Sequence, residues 1–206
     1  MKLYFAPGTC ALAVHIVLKW IGKPFEAEQV EMGSAAYKKI NPLGAVPALA
    51  VDGYRVMTQV DAILNYLNAS FPEATLGPNK DADALAHFEM NETLAFLGGD
   101  FHPAFFPFFV PNRFTTSQDA GSQDAVREAA KVRIDQVMTH LNQKLEQSVF
   151  LVGDRRSMAD PYAFAMTRWT EATDKPWQEY PAVRRFMEHM HDDDGVIAAM
   201  QAQGLI

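Results

Sequence analysis

The chain has 206 residues, 49% of them apolar and 21% charged, the make-up of a folded globular protein with a sizeable core. Its net charge of −7 and pI near 5.3 argue against nucleic acid or an anionic membrane as the main partner. A single cysteine excludes an internal disulfide and a thiolate-rich zinc site, and no apolar run approaches membrane-spanning length. The N-terminus has no basic segment followed by a long apolar core, so a cytoplasmic, reducing location is the expectation.

Residues 1–75 alternate strand-like and helix-like stretches. Lys2 to Phe5 (KLYF) reads as a strand, Ala6-Pro7-Gly8-Thr9 as a turn, and Ala11 to Gly22 as an apolar helix. Phe25 to Val30 alternates like a second strand. Ser34 to Ile40 reads as a short helix ended by Asn41-Pro42, because a residue before proline avoids the helical region. Ala48 to Val51 and Arg55 to Met57, joined through Asp52-Gly53, predict a β-hairpin. A helix over Ile63 to Ser70 completes the order β-α-β-α-β-β-α, a mixed sheet flanked by helices.

Residues 80–206 read as all-helical. The spacing predicts long helices over Asp81 to Phe101 and Ser122 to Ser148. In the second, Val126, Val132, Ile134, Val137, Met138, Leu141 and Leu145 supply an apolar stripe. Shorter helices follow over Asp160 to Ala172, Ala182 to His191 and Gly195 to Gln201. The break between the two units falls in the proline- and glycine-bearing stretch Phe71 to Asn79.

Several residues carry candidate chemistry. Cys10 stands where the first strand hands over to the first helix. Unpaired N–H groups and the helix dipole there favour a thiolate, so a lowered pKa is the expectation; the other reading is a buried, inert cysteine. Val46-Pro47 precedes a strand. A cis bond there would leave the Val46 backbone free to pair with a ligand peptide, whereas a trans bond would make an ordinary turn. Thr58 to Ile63 opens a helix whose N-terminus suits a carboxylate, with Gln59 as a further contact; simple capping by Thr58 is the alternative. Phe101 to Phe109 packs five phenylalanines, His102 and two prolines into nine residues. It reads as core at a kinked helix end, as the apolar wall of a substrate site, or as both. Ser157-Met158-Ala159-Asp160 has capping-box spacing and a structural reading. His189 and His191 do not share a helix face, so no metal site is expected. There is no phosphate-binding glycine loop, and Cys10 lies outside any C-x-x-C.

These motifs, in this order over nearly the whole chain, resemble a bacterial glutathione S-transferase, most similar to the beta class. The resemblance rests on Met1-Lys2-Leu3-Tyr4, Pro7 to Ala13, Asn41 to Leu49, Thr58-Gln59 with Ala62 to Leu67, Ser157 to Asp160 and Thr167-Arg168-Trp169. It implies a thioredoxin-like N-terminal domain (1–75), an all-helical C-terminal domain (80–206), glutathione in the cleft between them, and a homodimer. It also implies conjugation of glutathione to a small apolar or aromatic electrophile, with thiol–disulfide exchange through Cys10 as a further activity. By the same resemblance Cys10 lies near the glutathione sulfur. The Val46 backbone, before a cis Pro47, pairs with the cysteinyl part. Gln59 and the N–H of Val60 face the γ-glutamyl group, and His102 lines the site. Phe105, Phe106 and Trp169 are the expected wall of the electrophile pocket.

The sequence also departs from the family pattern. Val60 stands where a serine hydroxyl is common, Ala45 where Gln or Lys often precedes the Val-Pro pair, Ala95 where Asn occurs, and Pro103 where a lysine follows the histidine. The segment from Glu31 to Ala36 lacks lysines, which leaves Lys38 or Lys39 as candidate partners for the glycine carboxylate of glutathione. These losses motivate a rival reading, a non-catalytic ligand- or protein-binding module on the same fold. A glutathione-dependent isomerase or dehalogenase is a third.

Overall fold

In the computed structural model, which describes residues 1–117 and 119–206, the N-terminal unit is a four-stranded mixed sheet of order β2-β1-β3-β4. Strand β1 (Lys2–Phe5) runs parallel to β2 (Glu26–Gln29) and antiparallel to β3 (Ala48–Ala50), which pairs antiparallel with β4 (Met57–Thr58). The return from β1 to a parallel β2 requires a crossover, supplied by helix α1 (Ala11–Ile21). Helix α1 ends at Gly22, whose φ of 70° gives the left-handed cap that glycine takes without a Cβ clash.

Three details of the sheet unit differ from the sequence reading. The alternation Phe25 to Val30 implies one buried face, yet all four residues of β2 are exposed, because β2 is an edge strand. The predicted helix at Ser34 to Ile40 shrinks to one 3₁₀ turn, Tyr37–Lys39. The hairpin's second arm moves to Met57–Thr58.

Helix α2 (Val60–Ser70) follows, and the helical unit begins with α3 (Ala84–Phe96), capped by the Asp83 carboxylate accepting from Ala86 N. The helix predicted to run unbroken to Phe101 instead widens into a π-turn at Leu97–Phe101, where His102 N–H reaches back to the Leu97 carbonyl. Pro103 is the physical cause: it has no N–H to donate, and its ring would meet the preceding turn. Short helices α4 (His102–Ala104) and α5 (Phe106–Phe109) carry the rod onward.

The long helix α6 (Ala120–Lys144) buries Ala130, Ile134, Val137, Met138 and Leu141. Val132, expected in this stripe, is 61% exposed, since it lies off the inward face. Helix α7 (Ala159–Thr167) is buried throughout and passes into a 3₁₀ segment, Arg168–Ala172. Helices α8 (Pro181–His191) and α9 (Asp194–Ala202) close the unit.

The buried residues of both units form one core. Helix α1 explains how. Ala11 to Leu18 are all buried, His15 among them, so this stretch is covered all round, with its own sheet on one side and α7 and α9 on the other. Asp160 anchors the start of α7. Its fully buried carboxylate accepts from Leu151 N (2.8 Å), Ser157 N (2.6 Å) and Ser157 Oγ (3.0 Å). No helix among the described residues is long and apolar enough to cross a membrane.

Candidate active site

A cavity of about 800 Å³ opens between the two units. The sheet unit contributes Thr9 and Cys10 from the β1–α1 turn, Ala45, Val46 and Pro47 from the approach to β3, and Gln59, Val60 and Asp61 from the start of α2. The helical unit contributes Ala95 and Gly98 from α3 and the π-turn, then His102, Phe106, Phe109 and Arg113, and Tyr162 and Trp169 from α7 and its extension.

The β1–α1 turn is held from the helical side. Trp169 Nε1 donates to the Gly8 carbonyl (2.8 Å), and Gly8 N–H donates to Gln203 Oε1 (3.2 Å). Gln203 Nε2 also lies 3.3 Å from Nδ1 of the buried His15. The chain then enters α1 with Cys10 at the cap position. Cys10 is 6% exposed, and its Sγ donates to the Val46 carbonyl at 3.4 Å. Burial pushes its thiol up to about 12, outweighing the neighbouring backbone N–H groups of Cys10 and Ala11, which act the other way. The expectation of a favoured thiolate is therefore corrected: desolvation beats the helix terminus, and the thiol is protonated at neutral pH.

The Val46-Pro47 peptide is cis. The loop before it is fixed by two donors to one acceptor: Tyr37 Oη (2.9 Å) and Asn41 Nδ2 (2.7 Å) both donate to the Ala45 carbonyl. Asn41 opens a motif marked in the sequence, whereas Tyr37 does not stand out there, although both hold the segment that lines the site. Gln59 caps α2 without a side-chain hydrogen bond, and Thr58, the sequence candidate for that cap, closes β4 instead. Gln59 has φ 72° and ψ 122°, a backbone conformation costly for a residue with a Cβ and concentrated at functional sites. It leaves the first N–H groups of α2 at the cavity.

On the other wall, His102 Nδ1 lies 3.1 Å from Tyr162 Oη. Burial lowers the imidazole to about 4, so His102 is neutral at pH 7. Burial also pushes the Tyr162 phenol upward, with the nearby Cys10 and Asp61 adding to the effect. The His102 ring is flanked by Phe106 (4.9 Å between centroids) and Trp169 (5.2 Å).

The sequence candidates sort clearly. Cys10, Val46, Pro47, Gln59, Val60, His102, Phe106 and Trp169 line one cavity. Phe105 does not: it is fully buried behind that wall, edge-on to Trp169 at 5.5 Å. Lys38 and Lys39 are not among the lining residues, and among the described residues Arg113 is the only lysine or arginine that is. Tyr162 went unnoticed, yet it stands seven residues before Trp169, two helical turns along the same face. His189 and His191 pack edge-on to Phe150 and Phe164, and no group of metal-ligating side chains occurs among the described residues.

A thioredoxin-like sheet is thus docked on a helical unit, with a cysteine, a cis-proline loop and a helix N-terminus meeting in the cleft between them. The comparisons give the family. The family model described as glutathione S-transferase, N-terminal domain, matches residues 8–70, and that described as glutathione S-transferase, C-terminal domain, matches 85–193. The chain is 38% identical to glutathione S-transferase GST-4.5 of Xanthomonas campestris pv. campestris, and 28% to glutathione S-transferase GstA of Escherichia coli O157:H7, with all of both chains covered in each case. Among solved structures, a bacterial beta class glutathione S-transferase of Sphingomonas chungbukensis superposes with a TM-score of 0.88 at 31% identity over the whole of both chains. One from Xylella fastidiosa gives 0.90 at 34%, covering all of this chain and 99% of the other. The chain belongs to the glutathione S-transferase family.

Proposed function

We propose that the interdomain cavity binds glutathione and that the chain transfers it to apolar or aromatic electrophiles. The observation that carries this reading is the convergence of Cys10, Val46-Pro47, the α2 N-terminus, His102 and Trp169 on one cavity. Solved relatives with bound glutathione, a sphingomonad enzyme at 31% identity and a Sulfitobacter homologue at 26%, support it.

Glutathione supplies the thiolate that attacks the electrophile. The chain's residues do the rest. The first N–H groups of α2, at Val60 and Asp61, receive a carboxylate. Gln59 accepts from an ammonium through its amide oxygen. The Val46 N–H, without a backbone partner among the described residues, pairs with a ligand peptide. Cys10 is a neutral thiol whose S–H is taken by the Val46 carbonyl, and it is not a ready nucleophile. Exchange through Cys10 is the slower chemistry, because burial opposes the thiolate it needs. Phe106, Phe109 and Trp169 present an apolar wall to the electrophile. Arg113 meets a ligand carboxylate distant from α2. Assembly as a homodimer is part of the same reading, and a monomer in sedimentation at micromolar concentration would remove that part.

Calorimetric titration of glutathione into reduced protein tests the site. The expected result is millimolar or tighter binding, weakened about 2- to 5-fold in Arg113→Gln, the range of an exposed charge contact. No heat at several millimolar glutathione would overturn the reading and favour the binding-module alternative, for which Val60 and Ala45 already remove polar contacts.

A further inference from the structure

The imidazole of His102 has two nitrogens, and the structure gives them different fates. Nδ1 is engaged by Tyr162 Oη at 3.1 Å, while Nε2 has no protein partner among the described residues and the ring lines the cavity. At neutral pH the ring carries one proton, so one nitrogen donates and the other accepts. Which is which follows from the phenol. Tyr162 is 3% exposed and keeps its proton, and the contact with His102 is its only hydrogen bond among the described residues. If Nδ1–H donated to the phenol oxygen, the phenol proton would have no protein acceptor among the described residues, the costlier arrangement. If Tyr162 donates to Nδ1, the phenol is satisfied and the imidazole proton stands on Nε2.

We infer that Tyr162 is a positioning residue that holds His102 in the Nε2–H form, so that His102 presents a hydrogen-bond donor, not an acceptor, to an anionic sulfur in the cavity. The ring's orientation is fixed at the same time. Phe106 and Trp169 restrict it on two sides, and Tyr162 meets it edge-on, with the planes at 87°. A donor aimed at a thiolate stabilises the charged sulfur without proton transfer. An acceptor there would instead destabilise it. The inference rests on the glutathione reading for the identity of the sulfur, but not for the protonation pattern.

Histidine ring nitrogen spectra of the ligand-free, ¹⁵N-labelled protein at neutral pH test it, with His102→Gln identifying the His102 signals. The expected wild-type spectrum has the proton on Nε2 and Nδ1 as a hydrogen-bonded acceptor. In Tyr162→Phe, which keeps the ring and removes only the hydroxyl, the Nδ1 signal moves toward that of a free nitrogen and the Nδ1–H form becomes detectable. A wild-type proton on Nδ1 overturns the inference, as does a His102 spectrum unchanged by Tyr162→Phe. In turnover with glutathione and a chlorodinitrobenzene, Tyr162→Phe is expected to lower kcat about 3- to 10-fold, with the glutathione KM within about twofold. That loss is expected to vanish in a His102→Gln background, because only an effect routed through His102 behaves so. A loss of equal size in both backgrounds overturns the positioning role. Absence of turnover in the wild type would count against the transferase reading alone, since the spectra decide the protonation pattern without a substrate.

Discussion

Cys10 is the one thiol in the chain, so any thiol-exchange signal belongs to it. In the denatured protein its pKa returns to the ordinary 9.0; in the folded protein burial holds it near 12. A thiol raised from 9.0 to about 12 has a thiolate population about 1,000-fold smaller at neutral pH. A more basic thiolate is intrinsically more reactive, which for a slope of about 0.4–0.5 restores about 15- to 30-fold. The net expectation is exchange with a small neutral disulfide about 30- to 60-fold slower in the folded, ligand-free protein than in the same protein in denaturant. Restricted access at 6% exposure acts in the same direction. Following release of the disulfide's chromophore from about pH 6 to pH 10 separates the causes. A thiol held near 12 gives a rate that climbs throughout this range. A plateau with its inflection below about pH 8, or a folded rate equal to the denatured one, would refute the argument that desolvation outweighs the α1 terminus.

Two further outcomes follow from buried polar groups. Asp160→Ala strands the N–H groups of Leu151 and Ser157, at about 1–3 kcal/mol each, so urea unfolding should show a loss of about 2–6 kcal/mol. Asp160→Asn should lose less, because its amide oxygen can still accept from Leu151. Acidification should also destabilise the protein. Burial holds both His15 and His102 near 4, below the ordinary 6.5, so between these values the unfolded chain binds more protons and stability falls as pH drops. The buried His15 alone accounts for up to about 3 kcal/mol across that window. Asp160, raised to about 6 by burial, binds a proton in the folded state first and offsets part of the fall below that pH. Urea midpoints measured from about pH 7.5 down to about pH 4.5 should decline; a flat or rising series would contradict the assignment of neutral buried histidines.

Much of the fold is readable in the chain, because local signals and tertiary packing agree there. Lys2 to Phe5 and the helix from Ala11 come out where the patterns put them. The misses have specific causes. Alternation in β2 does not mark a buried face on an edge strand. Propensity alone does not reveal that Pro103 turns the end of a long helix into a π-turn, and that turn sets the direction of everything after it. Within the aromatic segment, helical spacing holds the answer that composition hides. His102, Phe106, Phe109 and Arg113 recur at intervals of four, three and four and share the cavity face, whereas Phe101 and Phe105 lie on the buried one. For Cys10 the sequence leaves a favoured thiolate and a buried, inert thiol both open, since the balance depends on how completely the second unit and the Val46 loop exclude water. Position at a helix end supplies only the weaker half of that balance.

The grip on the Gly8 peptide has one more consequence. Its carbonyl and its N–H are taken by residues 161 and 195 positions further along, and both partners belong to the helical unit. The turn that presents Cys10 therefore takes its shape from the far end of the chain. The stretch from Phe71 to Asn79 joins two units in sequence, but it is no hinge in energy. Opening the cleft would pull the Gly8 peptide away from Trp169 and Gln203 and uncover the α1 surface that α7 and α9 share. The sheet unit on its own would keep every residue of the turn that carries Cys10 and lose the mould that casts it.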